Sequence, residues 1–526
     1  MKRCLALLLL VLPSMAVADT FTVTTTADTG PGSLRQAIAD SNANGATVAD
    51  EIVFAIPGTG PHVISVASSL PMITGLVTID GTTQPGWVAN TNTPDQGGLN
   101  GNLAIELSSS QTTANTIGLL IAAGTTLGTH TVRGIAITRF ARAISASGSA
   151  GLVVEGCHIG ADVSGTNVPS VMAVGLSLAE GGASVVGPVR IGGLLPAQRN
   201  LLAGSSGTTG TGVAIIASGF EANGSLLVQG NLIGTDRTGT AARGWRIGVS
   251  VAGYSIGQEN PAGVVVGGNT PAARNLISGN RETAVGIGSG ALSIGPHRVT
   301  VQGNWIGTDV GGLAALPNGT TAATHAAILR TQSTSGPFRS LIGGTGPGEG
   351  NRIAFNNAVA VRVSGVGVQA EQGTLEVVGN EIRDNAGLGI DLFNIARAND
   401  PGDADNGPNR ALNWPEIVGG TRLGPGQFEL TFRQDTLPAN ATFPITVRFY
   451  RSNLGRNEGA AELGQATVST AQAQTVLPVA LNLPPAQVGA VVYITALAID
   501  AAGNTSEFSD PIDFDQVFRD GFEPPP

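Results

Sequence analysis

Val228-Gln229-Gly230-Asn231-Leu232-Ile233-Gly234-Thr235-Asp236 and Val301-Gln302-Gly303-Asn304-Trp305-Ile306-Gly307-Thr308-Asp309 are two copies of one nine-residue unit. Val154-Glu155-Gly156-Cys157-His158-Ile159-Gly160-Ala161-Asp162 is a weaker third copy, and Val377-Val378-Gly379-Asn380-Glu381-Ile382 repeats the first half. Their glycines, Gly156, Gly230, Gly303 and Gly379, fall 74, 73 and 76 residues apart. A second series interleaves: Ile191-Gly192-Gly193, Val266-Gly267-Gly268 and Ile342-Gly343-Gly344, each followed by an Arg-Asn or Asn-Arg pair. Such a period marks an architecture of stacked repeats.

The asparagines set the length of one coil. Asn200, Asn231, Asn275, Asn304, Asn351 and Asn380 are separated by 31, 44, 29, 47 and 29 residues, and Cys157 occupies the same slot 43 residues before Asn200. Each step reads as one coil, with an extra loop such as 268–274 in every second one. Short apolar runs lie between the corners: Val213–Ile216, Ile247–Val251, Ala284–Ile287, Ala327–Leu329 and Val361–Val363. Strands this short do not make stable hairpins, but stacked coil on coil each pairs with its copies at about 4.8 Å. The spacing therefore predicts an all-β chain built on a right-handed parallel β-helix. Asn suits the sharp corners, and its amide can bond the Asn of the next coil as a structural ladder.

Composition agrees. Of 526 residues 76 are Gly, and charged residues make up 12% against a usual ~25%. The start, Met1-Lys2-Arg3, an apolar run to Met15 and Ala16-Val17-Ala18, reads as a signal peptide of residues 1–18. Its removal leaves 25 basic and 37 acidic residues, a net charge of −12, and no lysine. A Schiff-base lysine is thereby excluded, and nucleic acid is a poor partner for so acidic a chain. Cys157 is then alone, so no internal disulfide forms. No later run is long enough for a transmembrane helix. The expected location is secreted or cell surface.

The units Gly-Asn-x-Ile-Gly-Thr-Asp at 230–236 and 303–309, with Pro271-Ala272-Ala273-Arg274-Asn275-Leu276-Ile277-Ser278-Gly279-Asn280, resemble the secreted bacterial β-helix repeat family of the pectin-lyase-like fold. Gly30-Pro31-Gly32-Ser33-Leu34-Arg35-Gln36-Ala37-Ile38 and Asp80-Gly81-Thr82-Thr83-Gln84-Pro85-Gly86 are also similar to segments of such proteins. The resemblance covers residues 20 to about 410 and implies fold more than activity. Locally, Ser33 is suited to N-cap a short helix whose Leu34, Ala37, Ile38 and Ser41 share one face, covering the open end of the core within a capping region of 19–75. The β-helix follows over 76–397.

After Leu392 the repeats end. An acidic linker spans 398–411, and alternating strands over 412–514 predict a small immunoglobulin-like β-sandwich, followed by a tail of 515–526. Within the linker, Asp400, Asp403, Asp405 and Asn406 offer four oxygen donors between Gly402 and Gly407. The segment reads either as an exposed polar linker or as a calcium loop, since Ca²⁺ takes six to eight oxygens.

Catalytic sets are sparse. Pectin hydrolases of the resembling fold carry Gly-His-Gly and Arg-Ile-Lys, and this chain has neither. The five histidines form no ligand spacing and read as surface or turn residues. Asp236 and Asp309 recur in Thr-Asp turns. Asp384 and Asp391 on the last coil are the best candidate carboxylate pair, with Arg362 as a candidate base; Arg362 and Arg330 otherwise read as solvated strand residues. The expectation is an exported, non-catalytic scaffold for cell-surface adhesion or glycan binding, with a polysaccharide or a cell-surface protein as partner. The alternative is a polysaccharide lyase or glycoside hydrolase.

Overall fold

A strand of two to eight residues between glycine corners satisfies its backbone only by pairing with copies of itself. The computed structural model shows how this chain does so. It describes residues 18–513 apart from 45–47, 112–115, 124–127, 149–150, 170–171, 179–186, 205–211, 221–224, 255–262, 289–296, 321–324, 333–337, 366–373, 393–397, 425, 454 and 483–492. Residues 1–17 of the expected signal peptide, residue 514 and the expected tail of 515–526 lie outside the described residues.

Three parallel sheets of 11, 10 and 9 strands run the length of a parallel β-helix. From Val77–Asp80 onward each coil gives one strand to each sheet. In the first sheet Leu152, Val189, Leu226, Val264 and Val299 stand in register, all at most 1% exposed. Their stacking makes the core a continuous apolar column. The sheets begin earlier than residue 76. Thr20–Val23 and Asp50–Phe54 open the first sheet and His62–Val66 the second, so the stretch 19–75 supplies strands as well as a cap.

The helix Leu34–Asn44 buries Leu34, Ala37, Ile38 and Ser41, as the pattern predicts. Ser33 Oγ accepts from the Gln36 amide at 3.2 Å, the expected N-cap. The buried Asp50 carboxylate ties the other end, accepting from Ser41 Oγ at 3.0 Å and Asn44 Nδ2 at 2.7 Å.

The asparagine ladder forms. Asn200 Nδ2 donates to Asn231 Oδ1 at 2.9 Å, Asn231 to Asn275 at 3.0 Å, Asn275 to Asn304 at 2.9 Å, Asn304 to Asn351 at 3.0 Å and Asn351 to Asn380 at 2.9 Å. At Gly267, φ is +91°, and an added Cβ would strike Gln302 O and the Asn304 amide. Only glycine fits that corner.

The repeat arginines hold a strap. Residues 86–102 lie between the first-sheet strand Val77–Asp80 and the second-sheet strand Ile105–Ser109 and run along the outer face of the second sheet. Arg199 Nη1 donates to Asn92 O at 2.8 Å and Gly97 O at 3.0 Å, and Arg237 Nη2 to Gly101 O at 2.6 Å. Arg274 pairs with Asp95 at 2.5 Å and lies 4.2 Å from the Trp305 ring centroid. Leu99 of the strap packs on the buried column Leu201, Leu232 and Leu276.

The C-terminal unit pairs antiparallel strands in sheets of three and four. Its strands divide their faces between two cores. Ile494, Ala496 and Ala498 face the sandwich interior, whereas Leu497 and Ile499 join the core of the β-helix. Tyr450 and Phe508 join it too, edge to face at 5.6 Å between centroids. The sandwich thus closes the open end of the solenoid.

Candidate metal centre and the helix–sandwich junction

The acidic linker folds back on itself. Asp400 Oδ2 accepts from the Ala404 and Asp405 amides at 3.0 and 3.1 Å, which closes the loop on its own first carboxylate. Asp403 holds φ +61°, and its amide donates to Asp400 O at 3.2 Å. Asn413 clamps the loop from beneath, its Nδ2 donating to Asp400 O and Asp435 O, both at 2.8 Å. Asp403 is 2% exposed; Thr436 Oγ1 donates to its Oδ2 at 3.0 Å and the Asn413 amide to its Oδ1 at 3.2 Å.

One carboxylate oxygen from each of Asp400, Asp403 and Asp405 falls within 4.8 Å of the others. Burial, opposed by the Thr436 and Asn413 bonds and reinforced by the Asp400 and Asp405 charges, pushes the Asp403 carboxyl up to about 7. Asp400 Oδ1 is buried with no hydrogen-bond partner. Oxygen-only donors, close spacing and an orphaned acceptor suit a hard divalent cation, which would make all three carboxylates favourable as anions. Asn406, the fourth expected donor, is exposed. Beside the loop a small pocket is lined by Leu392, Asn399, Asp405, Trp414 and Glu507. Glu507 Oε1 accepts from the Leu392 amide at 2.8 Å, and burial with nearby Asp391 pushes this carboxyl up to about 7.

The candidate carboxylates Asp384 and Asp391 belong to different sheets of the last coil. Asp384 follows the second-sheet strand Glu381–Arg383 at φ +57° and pairs with Arg383 at 2.8 Å. Asp391 lies in the third sheet, where Arg362 of the preceding coil pairs with it at 2.9 Å. Arg362 is 6% exposed and Asp391 4%, so the expected solvated arginine is a buried ion-pair partner. Arg330, 1% exposed, is no solvated strand residue either. It stands in register between the core residues Ile287 and Val363, and desolvation lowers it to about 10.

The histidines also differ from expectation. His130, His158 and His62 are 1%, 6% and 8% exposed. His130 sits opposite Leu152 on the inward face of the first sheet, both ring nitrogens without hydrogen-bond partners, and burial lowers it to about 4. The recurring aspartates do make turns: Asp236 Oδ1 accepts from Thr238 Oγ1 at 2.7 Å, and Asp309 Oδ1 from the Leu313 and Ala314 amides at 3.1 Å.

A second asparagine ladder escaped the sequence reading. Asn280, Asn318, Asn356 and Asn385 bond in series at 3.0, 3.0 and 2.9 Å. Their spacings of 38, 38 and 29 residues were the available signal. The series ends on the sandwich, where Glu458 Oε1 accepts from Asn385 Nδ2 at 2.8 Å and from the Asn385 amide at 3.0 Å. The described residues include no helix long and apolar enough to cross a membrane. The chain matches no known protein family, and no curated protein is significantly similar to it.

Proposed function

We propose that the chain is an exported, non-catalytic scaffold of the pectin-lyase-like β-helix kind, acting at the cell surface in adhesion or glycan binding, with calcium stiffening its junction. One observation carries the first part. The side chains singled out for chemistry are engaged internally: Asp391 with Arg362 at 2.9 Å and Asp384 with Arg383 at 2.8 Å. A general base or acid needs a group free to meet substrate, and a buried ion pair is a poor source of one. The three converging carboxylates support the calcium part.

The test uses residues 19–526 on a panel of acidic and neutral polysaccharides, with calcium and with chelator. Retention on one glycan without new reducing ends or unsaturated products is expected. Turnover on any of them overturns the scaffold reading. Calcium at 100 times its dissociation constant should stabilise the fold by about 2.7 kcal/mol, and Asp403→Asn should abolish that gain. A melting temperature unmoved by calcium removes the metal from the proposal.

A further inference from the structure

The second ladder ends on an ionisable group. Every internal rung is an amide, which presents a neutral oxygen to the rung before it. Its terminus is Glu458, 0% exposed, on the 455–460 loop of the sandwich. Oε1 takes both Asn385 donors, while Oε2 is buried with no hydrogen-bond partner. The same loop meets the last coil through backbone: the Ile382 amide donates to Gly459 O at 2.9 Å and the Gly389 amide to Asn457 O at 3.0 Å. The carboxyl therefore sits in the seam that joins sandwich to solenoid, where its charge acts on that contact directly.

Its surroundings do not neutralise a charge well. From its own loop comes Arg456, whose guanidinium is committed to Asn385 O. From the last coil comes Asp384, a like charge held by Arg383, which also pairs with Glu381 at 2.7 Å. From the sandwich strand Ile445–Ser452 come the Tyr450 ring, packed on Gly459, and the Arg451 carbonyl, which accepts from the Ala460 amide at 2.8 Å. An ionised Glu458 would hold one anionic oxygen in a dry seam without a donor, a costly arrangement.

We propose that Glu458 is a pH-sensitive latch between the sandwich and the β-helix, closed when neutral and weakened when ionised. Burial opposed by the Asn385 bonds pushes this carboxyl up from 4.5 to about 7. The sign follows: a carboxyl raised by folding gives its full stability below pH 4.5, loses it as pH rises to about 7, and adds no further change above. The latch is a property of the fold and is independent of any ligand.

The test is hydrogen exchange of the full mature chain from pH 4.5 to 8, corrected for intrinsic rates. Opening of the 381–390 and 455–460 peptides should rise about 100-fold between those limits. Glu458→Gln keeps the acceptor for Asn385 and removes the charge, so its profile should be flat. A rise that persists in E458Q overturns the latch, as does a flat wild-type profile. Should E458Q not fold, location decides: a wild-type rise confined to 399–413, around the aspartate cluster, also overturns it.

Discussion

Asn304→Ala probes the first ladder at its centre. The Asn304 side chain is fully buried. Its Nδ2 donates to Val266 O at 2.9 Å, Gln302 O at 2.9 Å and Asn351 Oδ1 at 3.0 Å. Its Oδ1 accepts from Asn275 Nδ2 at 2.9 Å and the Asn275 amide at 3.3 Å. Alanine removes all five bonds, but not all the partners are orphaned. Asn351 Oδ1 keeps the Asn304 amide at 3.0 Å, and Asn275 Nδ2 keeps Val228 O at 2.7 Å. Gln302 O keeps the Gly268 amide at 2.9 Å. The Asn275 amide loses its acceptor inside the protein. One buried orphan costs about 1–3 kcal/mol and each of the other four bonds about 1 kcal/mol, so a total of about 5–7 kcal/mol is expected. Coils contact only their neighbours, so the loss should concentrate there. Denaturant melts give the magnitude, and hydrogen exchange of peptides holding 275 and 351 gives the place. A loss below about 1 kcal/mol, or one spread evenly along the solenoid, refutes the ladder as a source of stability.

Gly267→Ala should cost at least about 2 kcal/mol, because a left-handed corner and a clash with Gln302 O act together; a melt within error of wild type refutes it. His130→Leu should lessen acid sensitivity but not abolish it, because burial lowers His158 to about 4 as well. The folded His130 titrates near 4 against 6.5 unfolded, so its contribution is complete above pH 6.5 and lost as pH falls to about 4, a cost of about 3 kcal/mol. If the difference between stability at pH 7 and pH 4 is the same in H130L, burial of this ring is not the cause. Asp391→Ala leaves the buried Arg362 guanidinium without that carboxylate and should cost about 3–5 kcal/mol in a chemical melt. A stable D391A would mean that the pair carries little of the last coil.

Local signals were legible where one residue type had one use. Glycine at φ +91° and asparagine at a stacked corner repeat because nothing else fits, so the solenoid could be read from spacing alone. The capping helix was legible for the same reason, an N-cap serine and one apolar face. What failed was reading polarity as exposure. Arg330, Arg362 and His130 lie on strands whose period of two puts them inward or under other segments, and a single charged letter does not say which face it takes. The aspartate cluster was visible as composition, but its geometry depends on Asn413 and Thr436, which lie further along the chain.

The sandwich was legible as strands and not as a cap, and the reason is physical. Alternation shows that a strand has two faces, but it does not say that both are buried. In Tyr493–Ile499 all residues but the first are buried, because one face packs in the sandwich and the other closes the solenoid. A solenoid end exposes apolar core and unpaired amides, and both must be covered. Here the Val377 amide donates to Thr505 Oγ1 at 3.0 Å and the Leu375 amide to Asn409 Oδ1 at 2.8 Å. A sandwich cut free would expose Tyr450, Leu497, Ile499 and Phe508 together, and a β-helix cut free would present three open sheet edges. Each half is therefore the other's missing layer, and the carboxyl of Glu458 lies where the two were joined.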